Sequence, residues 1–366
     1  MATVIWAESG TDATQDFSFY DVTQGSVTSD TSQAKTGPRS VNVSTSSPAV
    51  TALVNRSGVL NDAGRRISVW FRFDTLPAVT DNFIALRDVS GNIVHRTGLT
   101  TTGSVDNVPV GATTVNGTIV LAVNTWYLVT VCYVITNSTT FQFDIYVDGV
   151  LDSSATAGTL TNTATDQLRL QRQSAAGANL NAWFDNIVID NGTPANGFPG
   201  DLRVTAKRPN ANGTANNFVT QIGSGGSGYG SGHSPQVNEQ ALSTTNGWSI
   251  AAVAATTEEY NIENRATGDV NLTGAVVVGL VGWVYAKALV AETAQLIVDN
   301  ATTNISLTST ISHFYAAATQ TSYPAGTGTD VGMITSTTVT TVSLYECGVV
   351  IVYTEPPPSL TLTGVQ

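Results

Sequence analysis

Ile67-Ser-Val-Trp-Phe-Arg-Phe-Asp74 places Ile67, Val69, Phe71 and Phe73 on one side of an extended chain and Ser68, Trp70, Arg72 and Asp74 on the other. One side is wholly apolar and the other mixed, the pattern of a strand that covers a core with one face only. Phe141-Gln-Phe-Asp-Ile-Tyr-Val-Asp148 repeats the alternation, and Asp148-Gly149 then offers a tight two-residue hairpin turn into Val150-Leu151. Between them, Trp126-Tyr-Leu-Val-Thr-Val-Cys-Tyr-Val134 is apolar on both faces and predicts a strand in the middle of a sheet. Gln167–Gln171 and Trp183–Asp190 follow with period two, until Asn191-Gly192, Pro194, Gly197, Pro199 and Gly200 end the pattern.

Outward from this core the same reading continues. Asp201-Leu-Arg-Val-Thr-Ala206 opens a second series of strands, continued at 294–298, 305–307, 311–317 and 342–353. The apolar run 275–290 carries Gly279, Gly282 and Lys287 and is shorter than the roughly 20 residues of a membrane span, so it predicts two buried strands or one bent one, and no membrane partner. Lys207-Arg-Pro-Asn-Ala-Asn-Gly213 reads as a turn, and Gly223–Gly232 as a glycine-rich loop. The fold class expected is all-β, two antiparallel β-sandwich (jelly-roll-like) domains in tandem, at 1–197 and 198–355, with a Pro-initiated C-terminal arm at 356–366.

The 366 residues exceed what one core usually organises, and the richness in Thr, Ser, Val, Asn and Gly makes helix the minority state. A net charge of −12 argues against nucleic acid as a direct partner. Cys132 and Cys347 lie in apolar runs far apart, which excludes a disulfide framework. The start of the chain carries no basic and apolar export signal, so synthesis in a host cytoplasm without export is expected.

Trp70 in Ser-Val-Trp-Phe-Arg-Phe, Trp126-Tyr-Leu-Val, the Tyr146-Val-Asp-Gly149 hairpin and Phe184-Asp-Asn-Ile187 together resemble the concanavalin-A-like, laminin-G-like jelly-roll family over about 1–197. The junction from Phe198, the segment from Lys207 and the closing Tyr345–Tyr353 strand resemble a module of tailed-phage structural proteins. These resemblances imply a virion surface protein, a capsid decoration protein or head fibre, whose partners would be the major capsid protein and further copies of itself, a trimer being the expected assembly. The alternative is a tail-associated adhesin that recognises a host polysaccharide.

Glucan hydrolases of the jelly-roll class need paired carboxylates, yet no glutamate occurs between Glu8 and Glu239. The chain is therefore expected not to be an enzyme. His95, His233 and His313 show no zinc-ligand spacing. Asp148, Asp185 and Asp190 lie near strand ends, where laminin-G-like domains bind calcium; they equally suit turns and solvent. No other cofactor is implied. Trp70, Tyr127, Tyr146 and Phe184 would form a sugar-stacking platform if they shared an exposed face; the competing reading puts them between the two sheets.

Overall fold

The computed structural model describes residues 3–8, 17, 20–45, 52–61, 63–172, 180–218, 220–222, 247–250, 256–263, 272–273, 275–298, 301–318, 330–335 and 341–354. The Gly223–Gly232 loop and the 356–366 arm lie outside them. Within them the chain is almost entirely strand, with a single 3-10 turn at Pro194–Asn196.

The N-terminal part contributes β1 (Val4–Glu8), β2 (Val22–Gln24), β3 (Ser26–Asp30), β4 (Ser40–Thr45), β5 (Ala52–Arg56), β6 (Arg65–Phe73), β7 (Asp81–Arg87) and β8 (Ile93–Leu99). It continues with β9 (Ser104–Pro109), β10 (Val115–Val120), β11 (Tyr127–Asn137), β12 (Thr140–Val147), β13 (Val150–Ala155), β14 (Gln167–Arg172) and β15 (Leu180–Asp190). One sheet runs β13-β12-β11-β6-β15-β4-β3, with β1 added beside the second half of β15; the other runs β10-β9-β8-β7-β14-β5-β2. All pairs are antiparallel, and the strands of one sheet are interleaved in sequence with those of the other, as in a jelly roll.

Ile67, Val69, Phe71 and Phe73 line the core as their alternation requires, but the expectation that β6 is covered on one face only is corrected: Ser68 and Trp70 on its other face are buried as well. Phe71 stacks on Phe83 of the facing sheet at 4.1 Å between ring centroids and lies beside Phe184 at 5.5 Å. Ser68, on the other face of β6, meets Thr130 instead, hydroxyl to hydroxyl at 3.0 Å. At the β12–β13 hairpin Val147 pairs with Val150, leaving Asp148 and Gly149 as a two-residue loop with φ of 47° and 85°. Both positive values match the mirror-image turn that suits twisted strands.

The C-terminal part contributes β16 (Leu202–Lys207), β17 (Pro209–Asn216), β18 (Thr220–Ile222), β19 (Gly247–Ile250), β20 (Thr256–Ile262) and β21 (Val276–Ala288). After them come β22 (Glu292–Val298), β23 (Ala301–Leu307), β24 (Ser312–Ala318), β25 (Asp330–Thr335) and β26 (Val342–Thr354). They form a sheet β18-β19-β26-β21-β24, with β16 beside β26, facing a sheet β17-β20-β25-β22-β23. The run 275–290 is one strand bent by irregularities at Val277/Gly279 and Tyr285/Ala286. The expected turn at 207–213 is corrected: Arg208 alone carries the chain from one sheet to the other, and Pro209 onward is strand.

The two sandwiches meet through buried apolar side chains. Val4 and Trp6 of β1 share a core cluster with Val204, Val281, Trp283, Val350 and Val352. Gly279 allows this approach, since a Cβ there would stand 2.5 Å from Val4 Cγ2. A polar tie accompanies it: the bulge in β15 turns Asn186 to φ 47°, and its Oδ1 accepts the Val204 N–H at 2.5 Å.

Candidate functional site: an aromatic cleft beside the junction

The register of β6, β11 and β15 decides which predicted residues come together. Trp70 lies opposite Leu128 and Asp185, on the face away from the first core, whereas Tyr127 and Phe184 lie opposite Phe71 and face inward. Phe184 is 0% exposed, and the Tyr127 hydroxyl accepts the Ala122 N–H at 2.8 Å. Tyr146 shares the outer face with Trp70, where it meets Phe198 at 6.3 Å. The four-residue sugar platform is therefore corrected: neighbours in a strand alternate faces, and Tyr127 and Phe184 belong to the core side.

Each aspartate of the calcium reading holds protein donors in the fold. Asp148 Oδ1 accepts the Leu128 N–H at 2.8 Å. Asp185 Oδ2 accepts the N–H groups of Lys35 at 2.7 Å and Thr36 at 3.1 Å. Asp190 is paired with Arg66 at 2.8 Å and accepts the Gly192 N–H. Among the described residues no group of three or more His, Cys, Asp or Glu side chains could hold a metal ion.

What the fold does assemble on this face is a cleft of about 260 Å³ lined by Lys35, Trp70, Trp126, Leu128, Asp148, Phe198 and Asp201. Trp70 forms its floor. Its Nε1 donates to the Leu202 carbonyl at 3.2 Å, and Lys35 Nζ and the Arg203 guanidinium lie 3.8 Å and 5.0 Å from its ring. Trp126, half-buried just before β11, and Phe198, on the segment that leaves the 3-10 turn, are the aromatic walls. Phe198 can lie there because residue 149 is glycine: a Cβ at that position would come within 3.0 Å of the Phe198 ring. The segment is pinned at its start by Arg66 Nη1, which donates to the Gly197 carbonyl at 2.8 Å.

Polar groups edge the cleft. Asp201 forks with Arg203 through two contacts of 2.9 Å, and Asp148 is exposed at the hairpin tip. Beneath the floor, burial pushes Asp185 up to about 7, although backbone donors and Arg203 pull the other way. Aromatic walls with a few fixed polar groups suit a ligand that has apolar faces and a hydroxylated rim, as a pyranose ring does. The residues singled out in sequence supplied Trp70 and Asp148. Lys35, Trp126, Phe198 and Asp201 come from segments far apart in the chain, and only the parity of Trp126 with Leu128 hints that it shares Trp70's face.

No family model and no curated protein matches the chain. Solved structures similar to it include an endo-β-1,4-glucuronan lyase from the fungus Trichoderma reesei, 13% identical, TM-score 0.43, covering 52% of this chain and 96% of that one. A carbohydrate esterase of the Shiga toxin-encoding bacteriophage phi24B is 13% identical, TM-score 0.42, covering 53% of this chain and all of that one. The cellulose induced protein Cip1 is 18% identical, TM-score 0.39, covering 47% and 89%. These neighbours are named for carbohydrates, and none of the three is a capsid protein. The expectation of a capsid decoration protein or head fibre is accordingly corrected.

Proposed function

We propose that the chain is a glycan-binding protein that acts by adhesion, with a saccharide of a host surface polysaccharide seated between Trp126 and Phe198 over Trp70. The observation that carries this reading is the cleft itself: three aromatic side chains from three separate segments converge beside polar groups. A place on the outside of a phage particle, among its tail proteins, fits the resemblance of the second half to phage structural modules. Binding without cleavage fits the carboxylates present. Hydrolysis needs an acid and a base or nucleophile at the scissile bond, and here Asp148 is engaged by the Leu128 N–H and Asp201 by Arg203.

Isothermal titration of the full chain with fragments of host surface polysaccharide tests the proposal, with Trp126→Ala as comparison. Truncating a tryptophan anchor is expected to weaken binding roughly thirtyfold or more. Unchanged affinity in Trp126→Ala would refute the cleft, and release of new reducing ends during incubation would refute binding without catalysis.

A further inference from the structure

The opposite sheet of the first sandwich carries an unusual concentration of positive charge. Asn55 on β5, Arg169 on β14, Ala85 on β7 and Arg96 on β8 stand directly opposite one another in register, and so share a face. That face points away from the core, because Leu168 and Leu170, which flank Arg169, both belong to the core cluster. Arg87 lies two residues along β7 from Ala85, opposite Gln167, and is therefore a diagonal neighbour of Arg169 at about 7–8 Å between backbones.

All three arginines are half-buried, and the Nε of each is buried without a hydrogen-bond partner among the described residues. None of them forms an ion pair there, whereas Arg56, Arg66, Arg172 and Arg203 each have an aspartate. Asp106, diagonal to Arg96 on β9, makes no ion pair with it. Ala85, between Arg169 and Arg96, is 0% exposed. Burial and the charge of Arg87 push Arg169 down to about 10, and burial also lowers Arg87 although Asp88 pulls it up. Like charges held this close oppose folding, and they stand out in a chain of net charge −12. An arrangement that keeps unpaired guanidinium groups together, half-dehydrated, is suited to an anion that completes them.

We propose that Arg87, Arg96 and Arg169 form a second binding site, separate from the aromatic cleft, that takes the carboxylates of an acidic polysaccharide. Arg169 and Arg96 are two strand spacings apart, about 10 Å, so the row presents repeated cationic groups to an extended polyanion. No aromatic residue occupies this register row to stack a base, and the chain's negative charge opposes a polyphosphate, which favours a carboxylated glycan over nucleic acid.

The experiment is affinity electrophoresis of the full chain in gels containing alginate, dextran or a single-stranded oligonucleotide, for the wild type, Arg169→Gln, the Arg87→Gln/Arg96→Gln pair and Trp126→Ala. Alginate is expected to retard the wild type, dextran to retard it less, and each arginine variant to need roughly tenfold more alginate or higher for equal retardation. Thermal melting supplies the structural control, with Arg169→Gln expected to melt no lower than the wild type. Equal retardation of all variants, a melting point lowered in Arg169→Gln, or tighter binding of the oligonucleotide would overturn the proposal. Loss of alginate binding in Trp126→Ala with retention in the arginine variants would move the anion to the cleft and overturn this site while leaving that reading intact.

Discussion

Raising the pH from about 4 to about 8 should cost the folded chain stability through one buried carboxyl group, Asp185. In the fold this group sits near 7, against 3.8 for an exposed aspartate, because burial disfavours its charge more than its backbone donors favour it. The native state therefore keeps a proton that the unfolded chain has already released. Stability contributed by Asp185 is complete below the unfolded value and is lost as the pH rises towards the folded one, then stays level. About three units at ~1.36 kcal/mol each make the loss roughly 4 kcal/mol. Asp190 and Asp106 are raised too and act in the same direction, so the useful quantity is the difference between wild type and Asp185→Asn. An asparagine can keep its carbonyl towards Lys35 and Thr36 but turns an amide N–H₂ towards the Asn186 N–H, an unmade bond that costs about 1–3 kcal/mol. At low pH the variant is expected to be the less stable protein, and above about pH 7 the order should narrow or reverse. Urea denaturation followed by tryptophan fluorescence across this range measures it. A difference between the two proteins that does not change with pH would refute the reasoning.

Two further outcomes follow from buried groups. Arg66→Met leaves Asp190, 5% exposed, without its cation and removes the bond to the Gly197 carbonyl; a loss of about 3–5 kcal/mol is expected by denaturant titration, much of it recovered in Arg66→Met/Asp190→Asn. Recovery absent from the double variant would show that the arginine acts through packing instead. Burial pushes the Cys132 thiol up to about 12 and raises Cys347 as well, so a thiol reagent at about pH 8 should label neither until the chain unfolds. Labelling of the native protein at the rate of a free thiol would contradict the burial of both.

The alternation of Ile67–Asp74 and of Phe141–Asp148, and the Asp148-Gly149 turn, are local properties: side-chain direction repeats every two residues, and a mirror-image turn asks for residues that accept positive φ. They made the all-β sandwich legible from the sequence, and the two cysteines in apolar runs are buried as such runs suggest. Other elements left weaker traces. The strands β17 and β20 are rich in Asn, Thr and Glu, and Lys207–Gly213 reads as a turn by composition although pairing with β20 holds most of it extended. Which residues share a site was beyond local reading. Trp126 and Tyr127 are equally aromatic neighbours, yet one faces the cleft and the other the core, and only the pairing of Leu128 with Trp70 fixes which. Phe198 reaches the cleft because the segment after β15 folds back against the sheet, and Arg87, Arg96 and Arg169 become one charged row only when β14, β7 and β8 are in register. The sequence by itself determined the strands and the faces each one offers, since those depend on period and turn chemistry. The tertiary structure decided the sites, since strand register and the docking of distant segments are set by burial across the whole sandwich.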